Sequence, residues 1–308
     1  MQRIMIQVKI NDETSPLEAV VLGTAKSFGG TPKLNETYDP KSRKHVLDGT
    51  FPQESDLVSE METVKDVLLK HDVEVYRPEI IPDYNQIFSR DIALVIDDQL
   101  VVPCVTELRK KESDGIQYIV DQVDKVLLPD EHQRMEGGDV MPWNGNLFVG
   151  YSEEEDFNTY ETARTNKHGL QFLADHFTDW NVKGIELMKS DTDPLENALH
   201  LDCCFQPVGK DKAVIYPGGF KNVQDYHFLI DFFGADKIFE ITKEEMCEMN
   251  SNFFSISPDV VVSDSSFVRL NTQLEKWGIE VEAVHYREVA KMEGLLRCTT
   301  MPLRRKYV

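Results

Sequence analysis

DLVSEMETVKDVLLKHDVEVY, Asp56–Tyr76, decides the architecture. Leu57, Met61, Val64 and Leu68 recur at helical spacing and form one apolar face over Asp56–Lys70, and VEVY at Val73–Tyr76 alternates as a strand does. The same order, helix then short strand, returns four times. Ile116, Ile119, Val120 and Val123 precede VLL at Val126–Leu128, and Leu170, Leu173 and Phe177 precede KGIELM at Lys183–Met188. Tyr226, Leu229, Ile230 and Phe233 precede KIFEI at Lys237–Ile241, and Phe267, Leu270 and Leu274 precede IEVEAV at Ile279–Val284. The closing strands recur roughly every 50 residues, the scale of a repeated supersecondary unit.

Apolar runs broken by turn residues lie between these units. Ile92–Val102, Val140–Gly150, Cys203–Tyr216 and Phe253–Val262 read as hairpins around Asp97-Asp98, Asn144-Gly145, Gly209–Asp211 and Ser257–Asp259. The first run, LEAVVLG at Leu17–Gly23, has one strand only, followed by a long polar loop. The C-terminal stretch would supply its partner and close a ring. Five hairpin–helix–strand units predict a closed, pseudo-fivefold α/β propeller around a central site; a doubly wound α/β sheet is the alternative. No linker composition divides the chain, so a single domain over residues 1–308 is expected.

The chemically interesting side chains recur just ahead of the hairpins. FSRD places Asp91 there; MEGGD places Glu136 and Asp139; LHLD places His200 and Asp202; NSN places Asn250 and Asn252; LLRC places Arg297 and Cys298. In a propeller, equivalent positions surround one axis, so these residues would meet in one pocket. Each motif taken singly has a bland reading. A His-x-Asp pair is common on strand surfaces, Gly137-Gly138 reads equally as a turn, and Cys203 and Cys204 read as inert apolar residues inside a strand. Cys298 differs, because it follows a cation and precedes Thr299-Thr300, surroundings expected to lower its pKa. A cysteine with a distant histidine and carboxylates is a nucleophile of known type. A metal site built from His200, Glu136, Asp139 and Asp202 is the alternative, but it lacks a second histidine and any HExxH-like spacing.

Composition narrows the partners. Lys and Arg number 33 against 54 Asp and Glu, a formal charge of −21, and 41% of residues are apolar, enough for a real core. A phosphate backbone would be repelled, so no nucleic acid is expected; a small cationic substrate suits the field, although an acidic surface also simply confers solubility. No apolar run approaches a membrane span, and the N-terminal MQRIMIQVKINDE has no signal-peptide core. Five cysteines without a CxxC pair fit neither a disulfide scaffold nor structural zinc, so a cytoplasmic, thiol-bearing protein is expected, with a homo-oligomer left open.

Taken together, the motifs resemble those of the guanidino-group-modifying enzymes: arginine deiminases, dimethylarginine hydrolases and amidinotransferases. FSRDIALVI followed by Arg109 and Glu112, RMEGGDV, VGYS … RTN (Val149–Ser152, Arg164–Asn166), HLDCCFQPVG and RCTTMPLRR stand in the family's order across most of the chain. The resemblance implies a pentein α/β propeller that needs neither metal nor organic cofactor. It implies Cys298 as the nucleophile on the guanidinium carbon, His200 as general acid/base and Glu136 as the group holding His200. Asp91 and Asp202 would clamp the guanidinium; Arg164, with Arg297, would bind a substrate carboxylate; Asp139 is a weaker candidate of structural character. Hydrolysis of arginine or a relative through an amidino-cysteine intermediate is favoured over transfer to an acceptor amine, and a pentein that only binds a guanidine is a third reading. The chain departs from the family in EGLLRC, where Leu295 and Leu296 replace glycine and would narrow the pocket. The segment Glu153–Ala163 and the loop 30–51 are further departures, each a candidate lid.

Overall fold

The computed structural model describes residues 5–307 of the 308-residue chain, so residues 1–4 and 308 of the expected domain span lie outside it. Among the described residues, fifteen strands form five sheets of three. The first sheet holds β1 (Leu17–Leu22), β2 (Glu74–Tyr76) and the last strand of the chain. The second holds β3 (Leu94–Ile96), β4 (Gln99–Val101) and β5 (Val126–Leu127); the third holds β6 (Val140–Trp143), β7 (Asn146–Tyr151) and β8 (Asn181–Glu186). The fourth holds β9 (Phe205–Val208), β10 (Lys212–Ile215) and β11 (Ile238–Glu240); the fifth holds β12 (Phe254–Ser257), β13 (Val260–Asp264) and β14 (Glu280–Val284). The last strand, β15 (Thr300–Arg305), pairs antiparallel with β1.

Every sheet has one design: an antiparallel pair, then a third strand added parallel to the second. Antiparallel neighbours need only a tight turn, whereas a parallel neighbour needs a crossover. Four turns fall where the sequence placed them; Asp97 and Asn144 adopt left-handed φ values of 53° and 48° to make two of them. The crossovers are the helices Glu54–Lys70, Gln117–Val120, Lys167–His176, Val223–Phe233 and Val268–Lys276. The second is shorter than its apolar pattern implies, because Glu107–Ile116 ahead of it winds as a 3₁₀ segment. A single doubly wound sheet is not what forms, since no sheet among the described residues exceeds three strands.

The helix Glu54–Lys70 shows how pattern becomes packing. Leu57, Met61, Val64 and Leu68 are buried in one apolar cluster with Leu270, Val284, Leu295 and Leu296. Glu60 shares that inner face and accepts the backbone N–H groups of Glu288 and Val289, capping the short helix Arg287–Ala290. Leu295 and Leu296 are likewise fully buried, in the same apolar cluster as Cys298. The loop 30–51 is more ordered than its polarity suggests. It holds a 3₁₀ turn at Leu34–Glu36 and a helix Pro40–Leu47, whose N-cap Asp39 accepts the N–H of Ser42. No helix among the described residues is long and apolar enough to cross a membrane.

Candidate active site

Short turns ahead of the hairpins carry the functional side chains. Asp91 stands on the single turn Ser89–Ile92, which the Ser89 hydroxyl fastens by donating to the carbonyls of Val21 and Thr299. Glu136 precedes, and Asp139 ends, a 3₁₀ turn at Gly137–Asp139. Its glycines answer a close approach rather than a bare need to turn: a Cβ on Gly137 would lie 2.0 Å from the Arg90 carbonyl oxygen, and one on Gly138 would lie 2.7 Å from His200 Nδ1. His200 and Asp202 stand on the next such turn, Leu201–Cys203. Cys203 and Cys204 therefore precede β9 rather than lying within it, which corrects their expected place; both are buried. Cys298 sits just before β15.

These turns bring the expected residues into one buried network. His200 Nε2 is 2.9 Å from Glu136 Oε2, and its Nδ1 is 3.7 Å from Asp91 Oδ1. Asp91 Oδ1 accepts the N–H of Gly138 (3.1 Å), while Gly138's carbonyl accepts Arg297 Nη1 (3.3 Å). The same Arg297 Nη1 reaches Asp202 Oδ2 at 2.8 Å, and the Cys298 thiol lies 3.5 Å from that oxygen. Gly138 and Arg297 thus tie the Asp91–His200–Glu136 side to the Asp202–Cys298 side. None of Cys298, His200, Asp91 and Asp202 is more than 3% exposed.

Two arginines flank Glu136. Arg109 Nη1 binds Asp91 Oδ2 (2.7 Å) and Glu136 Oε2 (3.1 Å), and its other edge meets Glu112 bidentately at 2.8 Å twice. Arg164 Nη1 lies 3.2 Å from Glu136 Oε1, and its Nη2 donates to the Tyr38 carbonyl at 2.7 Å. Arg164 and Arg297, expected to bind a substrate carboxylate, both already have partners within the chain. Arg164 is bound to Glu136 and Tyr38, and Arg297 to Glu13, Asp202 and the carbonyls of Gly138 and Val140. Asp139 accepts the Thr165 hydroxyl (2.6 Å) and the Leu201 N–H (2.9 Å), so it braces the two turns.

Electrostatics follow from this wiring. Burial raises the Glu136 carboxyl, but Arg164, Arg109 and His200 outweigh it and hold Glu136 well below the carboxylate range. Burial lowers the His200 imidazole, yet Asp91, the Glu136 hydrogen bond and Asp139 leave it raised. Cys298 is pushed well up, by burial first and then by Asp202 and Asp91. The expected lowering by its neighbouring cation fails because the Arg297 guanidinium engages Glu13 and Asp202 instead of the sulfur. Cys298 is therefore a thiol beside two carboxylates, surroundings that favour a cation.

Asp91, Glu136 and His200 are close enough to share an ion. Arg109 already occupies the position between the two carboxylates, and the Asp139 and Asp202 carboxylates are bound elsewhere, so the donor set suits a guanidinium better than a metal. Tyr38 covers this ground, its ring 5.9 Å from the Arg109 guanidinium and 5.4 Å from that of Arg164. Outside it opens a cleft of about 310 Å³ lined by Phe28, Glu36, Tyr38, Asp39, Leu108 and Met292 among others. A second cleft joins Tyr38 to Glu161 and Thr162, so the two departing segments face each other. Sequence reasoning missed Tyr38 and Glu13 as participants, and named Arg109 and Asn252 without a role.

A family model described as N,N dimethylarginine dimethylhydrolase, eukaryotic, matches residues 42–305. An arginine deiminase of Bacillus thuringiensis subsp. konkukian (strain 97-27) is 28% identical over 295 residues, covering 81% of this chain and 69% of its own length. Among solved structures, the N-terminal domain of ArgZ covalently bound to a reaction intermediate superposes with a TM-score of 0.77 at 15% identity, covering 93% of this chain and 98% of that one. SxtG, an amidinotransferase from Microseira wollei, gives 0.74 at 15% identity, with 98% of each chain covered.

Proposed function

The chain belongs to the N,N dimethylarginine dimethylhydrolase family of guanidino-modifying enzymes, and on that premise we propose that it hydrolyses the guanidino group of arginine or an Nω-substituted arginine through a covalent Cys298 intermediate. The observation that carries this reading is the Cys298 thiol beside Asp202, joined through Arg297 and Gly138 to the Asp91–His200–Glu136 chain. Residues 1–308 act as one catalytic domain, and its five sheets stand as the blades of a closed pentein α/β propeller around that site. The β1–β15 pairing, which joins the two ends of the chain, supports this closure.

Chemistry follows from the charges. A guanidinium is resonance-stabilised and a poor electrophile, so Asp91 and Asp202 hold it by charge-assisted hydrogen bonds and keep its charge at the carbon under attack. Its arrival also neutralises the two carboxylates that raise Cys298, so the thiol loses its proton only when substrate is bound. The thiolate then forms a C–S bond at the guanidinium carbon. His200, held as the imidazolium, gives its proton to the departing nitrogen as the C–N bond breaks. The neutral imidazole next takes a proton from water, whose oxygen displaces sulfur. The C–S bond breaks, the proton left on that oxygen passes to the Cys298 thiolate, and citrulline leaves with His200 already reprotonated by the water. Glu136, kept ionised by Arg109 and Arg164, holds His200 in place throughout.

Mass spectrometry of products from L-arginine, methylated arginines and agmatine, with and without glycine or lysine, tests this reading. Citrulline together with ammonia or a methylamine, formed without an acceptor and lost in a folded Cys298→Ala variant, is the expected outcome. Ornithine formed only alongside an amidinated acceptor would replace hydrolysis by transfer. Turnover retained by Cys298→Ala would remove the covalent route.

A further inference from the structure

We propose that Asn252 is a further catalytic residue, whose side-chain amide donates to the reacting sulfur and holds it as the thiolate during attack. The proposal rests on Cys298 being the nucleophile.

Asn252 lies two residues ahead of β12, in the short segment before a hairpin that in other units carries Asp91, Asp139 and Asp202, one to three residues ahead of their strands. It is fully buried, and its side-chain amide and backbone carbonyl are engaged around one loop. Its Oδ1 accepts the backbone N–H of Cys298 (3.1 Å) and of Leu295 (3.2 Å), its Nδ2 lies 3.1 Å from Cys298 Sγ, and its carbonyl accepts the N–H of Arg297 (3.1 Å). Two N–H groups converge on one end of the side chain, so that end must be the oxygen, and the NH₂ faces the sulfur by elimination.

Charge explains why an amide stands here. The other polar side chain at hydrogen-bonding distance of Sγ is Asp202, which disfavours a thiolate, and the adjacent Arg297 is turned away. A Lys, Arg or protonated His in place of Asn252 would stabilise the thiolate but repel the cationic substrate and compete with it for Asp91 and Asp202. A neutral N–H donor stabilises the anion without either penalty. On substrate binding the thiol proton passes to solvent, the S–H electron pair stays on sulfur, and the amide N–H points at that charge until the C–S bond takes it up.

The test uses the full chain carrying Asn252→Ser, Asn252→Ala or Asn252→Asp, alkylated by iodoacetamide across pH with site-resolved mass spectrometry. The partly buried thiols of Cys104 and Cys247 serve as internal references. All three variants should move the alkylation midpoint of Cys298 upward, most in Asn252→Asp, which adds a carboxylate. With arginine as substrate, kcat should fall at least tenfold while KM changes only a few-fold. A midpoint unchanged in any folded variant overturns the proposal, as does failure of all three to fold, which would make Asn252 structural. If Cys298→Ala keeps turnover, the nucleophile reading itself falls; if Cys298→Ala is inactive and the Asn252 midpoints stay put, only the present proposal falls.

Discussion

Arg297 and Cys298 are neighbours in sequence, yet the cation does not serve the thiol. Its guanidinium runs inward to Glu13, which burial raises but Arg297 and Arg90 hold below its usual range. What acts on Cys298 instead is a pair of carboxylates, which the proposed cationic substrate would balance. The opposite logic applies to His200, whose carboxylate neighbours raise it despite burial. A raised imidazole contributes stability that is complete below its unfolded value of about 6.5 and is lost as pH rises through the folded value. Glu136 runs the other way: its contribution is present above an unfolded value of about 4.3 and is lost as pH falls through its lowered folded value. Melting temperatures of wild type and His200→Ala should therefore differ most near pH 5–6, converging as the solution becomes alkaline. Removing the acid/base should also cost about 10²–10⁴ in kcat and abolish the alkaline limb of the pH–rate profile. A melting difference independent of pH would mean that His200 is neutral in the folded protein.

At the scale of elements, a turn ahead of each hairpin does the positioning, and its tightness is testable. Gly138→Ala would drive a methyl group to within 2.8 Å of both the His200 ring and Asp91 Oδ1. The expected cost is about 1–3 kcal/mol of stability and a fall in kcat of two orders of magnitude or more. Gly145, in the β6–β7 turn at φ 78° with open space around it, is the control. Gly145→Ala should cost about 1–2 kcal/mol through backbone conformation alone and leave kcat unchanged. Equal effects at both positions would show that Gly138 is a turn residue and no more. The helices, hairpins and the residues on these turns were legible because periodicity and turn chemistry are local properties. The missing participants were not. Glu13 meets Arg297 across 284 positions of sequence, and Tyr38 meets Arg164 across 126. Asn252 was visible at the right phase, but only the folded loop shows that its amide faces sulfur. The partners of Arg164 and Arg297 were hidden for the same reason, since neither sequence neighbourhood names Glu136 or Glu13 as the acid that holds them.

Over the whole molecule, 54 acidic residues against 33 basic ones surround a site whose proposed substrate is a cation. Many of the surface charges are paired, and exposed pairs add little to stability. Their sum still sets a negative field, and a cleft in low-dielectric surroundings focuses it. The cleft outside Tyr38 is lined by Glu36, Asp39 and Asp83, with no lysine or arginine among its lining residues. Such a field raises the rate of encounter with a cation and does nothing for a bond already in the buried site, where salt screens poorly. For arginine, net charge +1, kcat/KM should therefore fall several-fold as ionic strength rises from about 20 mM to about 300 mM, where the Debye length shrinks from about 20 Å to about 6 Å. kcat should hold steady over the same range, because chemistry occurs with the guanidinium enclosed. Citrulline carries no net charge, so its inhibition constant as product should be nearly insensitive to salt, and the ratio of the two dependences isolates steering from any general effect of salt on the protein. If kcat/KM is flat, the acidic surface serves solubility alone. If kcat falls with kcat/KM, the salt is reaching the buried carboxylates, and the Tyr38 cover does not seal the site during turnover.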